Sequence, residues 1–131
     1  MRVAEVPIIA VVDDDVAVRS SAANLIRSLG FKALPFASGE ELMGSPSLDE
    51  IACVITDVQM PGMTGLELQS HLLASSRRVP IIFITAYPDE RARRHALAAG
   101  AIGFFSKPFE GAAMIRCIDT ALSSARAGSP E

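Results

Sequence analysis

The sequence predicts an α/β fold, a doubly wound five-stranded parallel sheet with helices on both faces. Short apolar segments alternate five times with amphipathic helical patterns along the chain. Three of the short segments are apolar without alternation, which is typical of strands covered on both faces. The length of 131 residues is that of one domain, and right-handed crossovers then place helices on both sides of its sheet.

Five segments have the length and the β-branched or aromatic content of strands. They cover residues 8–12, 31–36, 51–55, 81–84 and 102–105. Lys32 and Pro35 interrupt the second segment, and because proline cannot donate a hydrogen bond to a sheet, we expect this strand at an edge. The expected strand order is therefore 2-1-3-4-5. This order changes direction between strands one and three, which opens a ligand crevice at their carboxyl ends.

The first three helices have recognisable beginnings or ends. The first helix ends at Gly30, a typical C-terminal cap. Its apolar stripe consists of Val18, Ala22, Leu25, Ile26 and Leu29. Ser38-x-x-Glu41 and Thr64-x-x-Glu67 are capping-box patterns, which predict the starts of the second and third helices.

The fourth and fifth helices complete the fold. The fourth starts at Pro88 and Asp89 and ends at Gly100, and the fifth covers about residues 110–126. The apolar face of the fifth consists of Met114, Cys117, Ile118, Ala121 and Leu122. Residues 127–131 are expected to fray. Residues 1–131 are thus predicted to be a single domain with a core over about residues 8–126.

The composition argues against several classes of protein. A charged fraction of 21% and a net charge of -3 give no general reason to expect nucleic-acid binding. No stretch approaches the ~18 apolar residues of a membrane span, and no signal-peptide pattern opens the chain. Cys53 and Cys117 lack the spacing of a metal site or a redox pair, which indicates a reducing compartment. We expect a soluble cytoplasmic protein with no direct nucleic-acid or membrane partner.

Carboxylates follow two strands that are neighbours in the predicted sheet. Asp13, Asp14 and Asp15 follow the first strand, and Asp57 follows the third. Carboxylates a few ångströms apart disfavour each other's charge unless a divalent cation neutralises them, and hard oxygen ligands in a hydrated site suit Mg²⁺. Asp15 is better placed as the N-cap of the first helix, whereas Asp57 precedes a loop.

A hydroxyl and an amine stand at the ends of the fourth and fifth strands, on Thr85 and Lys107. A hydroxyl can donate to a phosphoryl oxygen, and an ammonium can neutralise its charge. Taken singly, these residues are a common β-former and a common surface charge. Together with the carboxylates they fill four successive strand ends, which indicates a site for a phosphoryl group.

These segments resemble the receiver domain of bacterial two-component response regulators, of the stand-alone type. The resemblance runs from residue 8 to about residue 126, and each motif stands at the strand end where the family has it. The motifs are VVDDD at 11–15, TDVQMPGMTG at 56–65, ITA at 84–86 and SKPF at 106–109. The resemblance implies a flavodoxin-like fold and phosphorylation of Asp57 by a sensor histidine kinase or a histidine phosphotransfer protein.

The resemblance also implies roles for the residues around Asp57. It implies Mg²⁺ bound by the carboxylates of Asp14 and Asp57 and the backbone carbonyl of Gln59, with Asp13 acting through water. Asp57 attacks the phosphorus, and Lys107 with the metal ion offsets the charge of the phosphoryl oxygens. Such a module catalyses its own phosphorylation and slow dephosphorylation, and it is not an enzyme with a separate substrate.

Four positions are implied to act after phosphoryl transfer. Thr85 moves toward the phosphoryl group, and the aromatic residue three positions before the lysine, Phe104, turns inward. A static core role for Phe104 is the open alternative. Gln59 and Tyr87 occupy the positions that tune the lifetime of the acyl phosphate, and a bulky Tyr87 can shield it from water. Lys107-Pro108 resembles the cis peptide of the family.

Two other function classes fit parts of the pattern. A haloacid-dehalogenase-like phosphatase is suggested by Asp13-x-Asp15 after a strand, but Ala17 stands where that motif has Thr or Ser, and no acidic pair follows Lys107. A phosphate-independent scaffold receiver is disfavoured because every chemical position is filled. Since the chain stops shortly after the fifth helix, we expect the output in an unknown downstream protein or in a longer parent. The fifth helix also permits a homodimer on phosphorylation.

Overall fold

The computed structural model of the chain, which describes residues 6–75 and 78–127, contains one sheet of five parallel strands. The strands are β1 (Ile8–Val12), β2 (Lys32–Phe36), β3 (Ile51–Asp57), β4 (Ile81–Thr85) and β5 (Gly103–Ser106). Their order is β2-β1-β3-β4-β5, with the proline-containing strand at one edge. The predicted doubly wound, flavodoxin-like topology is therefore confirmed.

Five helices connect and follow the strands, together with a short 3₁₀ turn at Leu48–Glu50 that the sequence did not predict. The helices are α1 (Val16–Ser28), α2 (Gly39–Met43), α3 (Gly65–Ala74), α4 (Glu90–Ala98) and α5 (Gly111–Ala127). Of the tail expected to fray, Ala127 is the last residue of α5, and residues 128–131 lie outside the described residues. Among the described residues, no helix has both the length and the apolar character needed to cross a bilayer.

The apolar strands are buried on both faces, because successive side chains of a strand point to opposite sides. In β1, Ile9 and Val11 pack with α1 and α5, whereas Ala10 and Val12 pack with the opposite core. The first core also contains Ile26, Ile55, Ile82, Met114 and Ile118, and the second contains Leu42, Val54, Leu68, Leu72, Phe83 and Ala96. Two cores on one sheet explain why these strands are apolar without alternation.

Three predicted helix starts are confirmed, and one detail of the third is corrected. The side chain of Asp15 accepts from the N–H of Ala17, and Thr64 and Glu67 form a complete capping box. Ser38 also accepts from the N–H of Glu41, at 3.1 Å. The carboxylate of Glu41, however, accepts from the N–H of Ala37 at 2.8 Å. The reciprocal half of this second capping box is therefore wrong, because the carboxylate reaches the residue before the cap.

Two glycines end helices as predicted, since each has the positive φ that favours glycine. Gly30 follows α1 with φ 91°, and Gly100 follows α4 with φ 106°. The N–H of Phe31 donates to the oxygen of Ile26, and the N–H of Ala101 donates to that of Ala96. These bonds satisfy carbonyls of the last helical turn and lead the chain toward the next strand.

Gly65 is the glycine whose close packing has the clearest consequence for stability. A Cβ at this position would overlap the backbone oxygen of Asp57 and lie 3.1 Å from the ring of Phe83. Because backbone must move to make room, we expect Gly65→Ala to lower the free energy of unfolding by about 3 kcal/mol. Urea denaturation measures this loss. Gly111→Ala is the matched control, since a Cβ there meets nothing within 4 Å. Equal midpoints for the two variants would contradict the expectation.

Candidate functional site

The carboxyl ends of four neighbouring strands bring the predicted polar residues to one edge of the sheet. Asp13 and Lys107 follow β1 and β5, while Asp57 and Thr85 are the last residues of β3 and β4. Parallel pairing keeps these ends level, because Asp57 pairs with Ile84 in the register of the two strands. The crevice predicted at this edge therefore contains the acidic, hydroxyl and amine groups together.

Lys107 bridges two carboxylates at the centre of this site. Its Nζ donates a hydrogen bond of 2.9 Å to Oδ2 of Asp57 and also lies 2.9 Å from Oδ2 of Asp13. The other oxygen of Asp57 accepts from the N–H of Gln59 at 3.1 Å, and Oδ1 of Asp13 accepts from the N–H of Asp15 at 2.9 Å. Both carboxylates are buried, with Asp13 0% and Asp57 6% exposed. The centre of the site thus contains two buried carboxylates that share one ammonium group.

Burial and neighbouring charge oppose each other in the pKa values of this site. Burial raises the pKa of Asp13 and outweighs the hydrogen bond from Asp15 and the Lys107 ammonium, while the charge of Asp57 raises it further. Burial alone would lower the pKa of Lys107, but the hydrogen bonds and charges of Asp57 and Asp13 outweigh it and raise that pKa. The lysine is therefore a fixed positive charge at neutral pH.

The carboxylates fit a hard divalent cation. Asp13, Asp14 and Asp57 each offer an oxygen, and these oxygens lie within 4.8 Å of one another. Oδ2 of Asp13 is buried, and within the described part of the chain its charge is compensated by the ion pair with Lys107 Nζ at 2.9 Å. Asp14 is exposed, which leaves room for the waters that Mg²⁺ retains. Three carboxylates this close to one another, with a single ammonium group beside two of them, suit Mg²⁺.

Thr85 lies at the edge of the site, outside the contact that Lys107 makes with the two carboxylates. The residue is fully buried, and its hydroxyl oxygen accepts from the N–H of Tyr87 at 3.1 Å. Its backbone oxygen accepts from the N–H of Lys107 at 2.7 Å, which ties the ends of β4 and β5 together. Among the described residues, the hydroxyl has no hydrogen bond to Asp57 or Lys107. Its own proton is therefore free to be donated elsewhere.

The remaining predicted positions surround this centre. Phe104 is half-buried, and its ring centroid lies 6.1 Å from that of Phe83 with the planes 40° apart. It also borders a shallow depression lined by Pro88, Asp89, Glu90, Arg93 and Ser106. Tyr87 is 72% exposed, and Gln59 is exposed as well. The peptide bond between Lys107 and Pro108 is cis.

Sequence reasoning missed two contacts that hold the site from outside. Nη1 of Arg19 donates to the backbone oxygen of Asp13 at 2.7 Å, and Oε2 of Glu40 accepts from the N–H of Met63 at 3.1 Å. The first contact joins residues six positions apart. The sequence signal for it is a charged residue, Arg19, one helical turn after the N-cap Asp15. The second spans 23 positions, and no local pattern indicates it.

Residues 9–119 match the family model described as the response regulator receiver domain. Nodulation protein W of Bradyrhizobium diazoefficiens is 40% identical over 102 residues, which cover 78% of this chain and 45% of that protein. Response regulator protein TmoT of Ectopseudomonas mendocina is 38% identical over 118 residues, which cover 90% and 54%. The solved structure of response regulator StyR has a TM-score of 0.81 at 40% identity, over 94% of this chain and 62% of that one. The chain spans about half the length of the curated relatives it matches.

Proposed function

Because the chain belongs to the response regulator receiver domain family, we propose that it is a phosphorylation-dependent switch whose phosphoryl acceptor is Asp57. The observation that carries this proposal is the contact of one ammonium with two buried carboxylates. Lys107 Nζ lies 2.9 Å from Oδ2 of both Asp57 and Asp13 at the carboxyl edge of the sheet. A phosphoryl group that reaches Asp57 therefore meets the positive charge of Lys107 already in place.

The proposed reaction moves a phosphoryl group from a phosphohistidine to Asp57. A carboxylate oxygen of Asp57 attacks the phosphorus, the phosphorus–nitrogen bond breaks, and the donor imidazole leaves with the electron pair. Lys107 offsets the charge of the phosphoryl oxygens, and the free hydroxyl proton of Thr85 is donated to one of them after that side chain moves. The product is an acyl phosphate that water slowly hydrolyses.

The proposed metal ligands are the carboxylates of Asp14 and Asp57 and the backbone carbonyl of Gln59, with Asp13 acting through water. Mg²⁺ bound there would offset negative charge on the transferring phosphoryl group. The grouping of Asp13, Asp14 and Asp57 supports this assignment, because three neighbouring carboxylates beside one ammonium group leave negative charge that a divalent cation would neutralise.

The proposed partners follow from membership of a two-component family. The phosphoryl donor is a sensor histidine kinase or a histidine phosphotransfer protein. The phosphorylated chain then binds a downstream protein or a second copy of itself. Thr85 and Phe104 relay the change toward α4, whose first turn borders the depression beside Phe104. The proposed setting is the cytoplasm, where Cys53 and Cys117 remain thiols. Burial raises the pKa of Cys53 to about 12, which keeps that thiol protonated and unreactive.

The test of this function compares phosphoryl acceptance with phosphatase turnover. We expect intact-mass spectrometry to find one phosphoryl group per chain after incubation with acetyl phosphate and Mg²⁺, and none when a chelator replaces the metal. We expect no sustained turnover of a generic phosphate ester. Sustained turnover would favour the haloacid-dehalogenase-like alternative, and the absence of any adduct under varied conditions would favour a phosphate-independent scaffold.

Tyr87 gives a prediction about the lifetime of the acyl phosphate. Its backbone N–H donates to the hydroxyl oxygen of Thr85 at 3.1 Å, and the residue is 72% exposed. We expect hydrolysis in Tyr87→Ala to be roughly two- to fivefold faster than in the wild type, because a largely exposed ring excludes water only in part. Tyr87→Phe keeps the ring and should decay at the wild-type rate. Equal decay rates for Tyr87→Ala and the wild type, followed by mass spectrometry, would rule out the shielding role.

A further inference from the structure

Glu40, in the first turn of α2, contacts the loop that follows the proposed phosphoryl acceptor. Its Oε2 accepts a hydrogen bond of 3.1 Å from the backbone N–H of Met63. The bond joins elements that are 23 positions apart and lies on the exposed surface. The contact therefore links α2 to the loop through a side-chain oxygen that accepts from a backbone N–H.

The packing around this bond is close on both sides. Gly62 has φ 76°, and a Cβ there would lie 2.9 Å from Oε2 of Glu40. On the helix, a Cβ at Gly39 would lie 2.8 Å from Sδ of Met63. Each element therefore approaches the other at a glycine, where an added Cβ would displace the end of the Glu40 or Met63 side chain. The hydrogen bond and the two close approaches together form a close contact between α2 and residues 60–63.

The ends of the same loop are held by the sheet and by α3. The N–H of Val58 donates to the oxygen of Ile84, and the N–H of Gly65 donates to the oxygen of Val58. The N–H of Gln59 donates to Oδ1 of Asp57. Within the described part of the chain, the bond to Glu40 is the hydrogen bond that ties residues 60–63 to another secondary-structure element. Besides the packing of Met60 and Met63 against the core, the middle of the loop is thus held by α2.

We propose that Glu40 is a positioning residue for the metal site, because it holds the loop that carries the backbone carbonyl of Gln59. This inference rests on the proposed function, in which that carbonyl is a Mg²⁺ ligand. Groups that orient the ligands of a metal ion commonly affect its affinity without touching it. Glu40 acts here through the Met63 N–H and the loop backbone, and it has no part in the phosphoryl transfer itself.

Two substitutions separate positioning from charge. Glu40→Ala removes both the hydrogen-bond acceptor and the negative charge, whereas Glu40→Gln keeps an acceptor oxygen and removes the charge alone. Glu50→Ala is the matched control, because Glu50 is an exposed acid in the 3₁₀ turn before β3, at the opposite end of the sheet. Mg²⁺ affinity by calorimetry and hydrogen exchange of the Met63 amide are the two readouts, and acetyl phosphate reports whether each variant still accepts a phosphoryl group.

We expect Glu40→Ala to weaken Mg²⁺ binding by about tenfold, near the low end for loss of an orienting group, and to speed exchange of the Met63 amide. Glu40→Gln should stay within about twofold of the wild type, since an amide oxygen can accept the same bond. Glu50→Ala should match the wild type in both readouts.

Other outcomes overturn the inference in distinguishable ways. Wild-type affinity in Glu40→Ala, with or without faster exchange, means that the contact does not position the metal site. Equal weakening by Glu40→Gln and Glu40→Ala means that the charge acts and the position does not. In both cases the wild-type protein still binds Mg²⁺ and forms the adduct, so the proposed function stands. If the wild type does neither, the proposed function and this inference fail together.

Discussion

Lys107→Ala is expected to slow formation of the phosphoryl adduct by about 100-fold, the cost of removing one preorganised charge from a site where charge develops. The ammonium lies 2.9 Å from Oδ2 of both Asp57 and Asp13, so under the proposed function it is in position before a phosphoryl donor arrives. Without it, the two buried carboxylates face an incoming anionic group with no fixed positive charge between them. The rate of adduct formation from acetyl phosphate, followed by intact mass, measures the loss.

The sequence supplies a matched control for this substitution. Lys32→Ala removes an exposed lysine from β2, the edge strand, away from the site. We expect it to form the adduct at the wild-type rate. Circular dichroism checks that both variants are folded, so that a slow reaction is not a symptom of unfolding. A folded Lys107→Ala protein that reacts as fast as Lys32→Ala would remove Lys107 from the mechanism.

The second large expected effect is the complete loss of the adduct in Asp57→Ala. The two neighbouring acids are poor substitutes for Asp57, the proposed nucleophile. Asp13 is fully buried, so an incoming phosphorus has less access to it than to Asp57. Asp14 is exposed on the outer side of the cluster, and its side chain has no ion pair with Lys107 among the described residues. We therefore expect no second site to take over the phosphoryl group.

Much of the sheet could be predicted because its signals are local. Pro35 indicated an edge strand, and uninterrupted apolar runs indicated strands buried on both faces. The ends of β3 and β4 were predicted one or two residues early, because Thr56, Asp57 and Thr85 break the apolar pattern. Backbone pairing with the neighbouring strand decides where a strand ends, and it continues through these polar residues.

The contacts of the site also divide into those that local sequence patterns predict and those that they do not. Asp13, Asp57 and Lys107 could be predicted to meet because each stands at the end of a parallel strand. The contact between Glu40 and Met63 could not, because it depends on how far α2 lies from the loop in the folded chain. Nor could the bond from the Tyr87 N–H to the Thr85 hydroxyl, which depends on the rotamer of a side chain.

The identity of the nucleophile is tested most directly by weighing the protein after incubation with acetyl phosphate and Mg²⁺. Asp119→Ala is the matched control for Asp57→Ala, since it removes an exposed acid from α5. We expect one phosphoryl group on the wild type and on Asp119→Ala, and none on Asp57→Ala. A folded Asp57→Ala protein that still gains a phosphoryl group at the wild-type rate would contradict the assignment of Asp57.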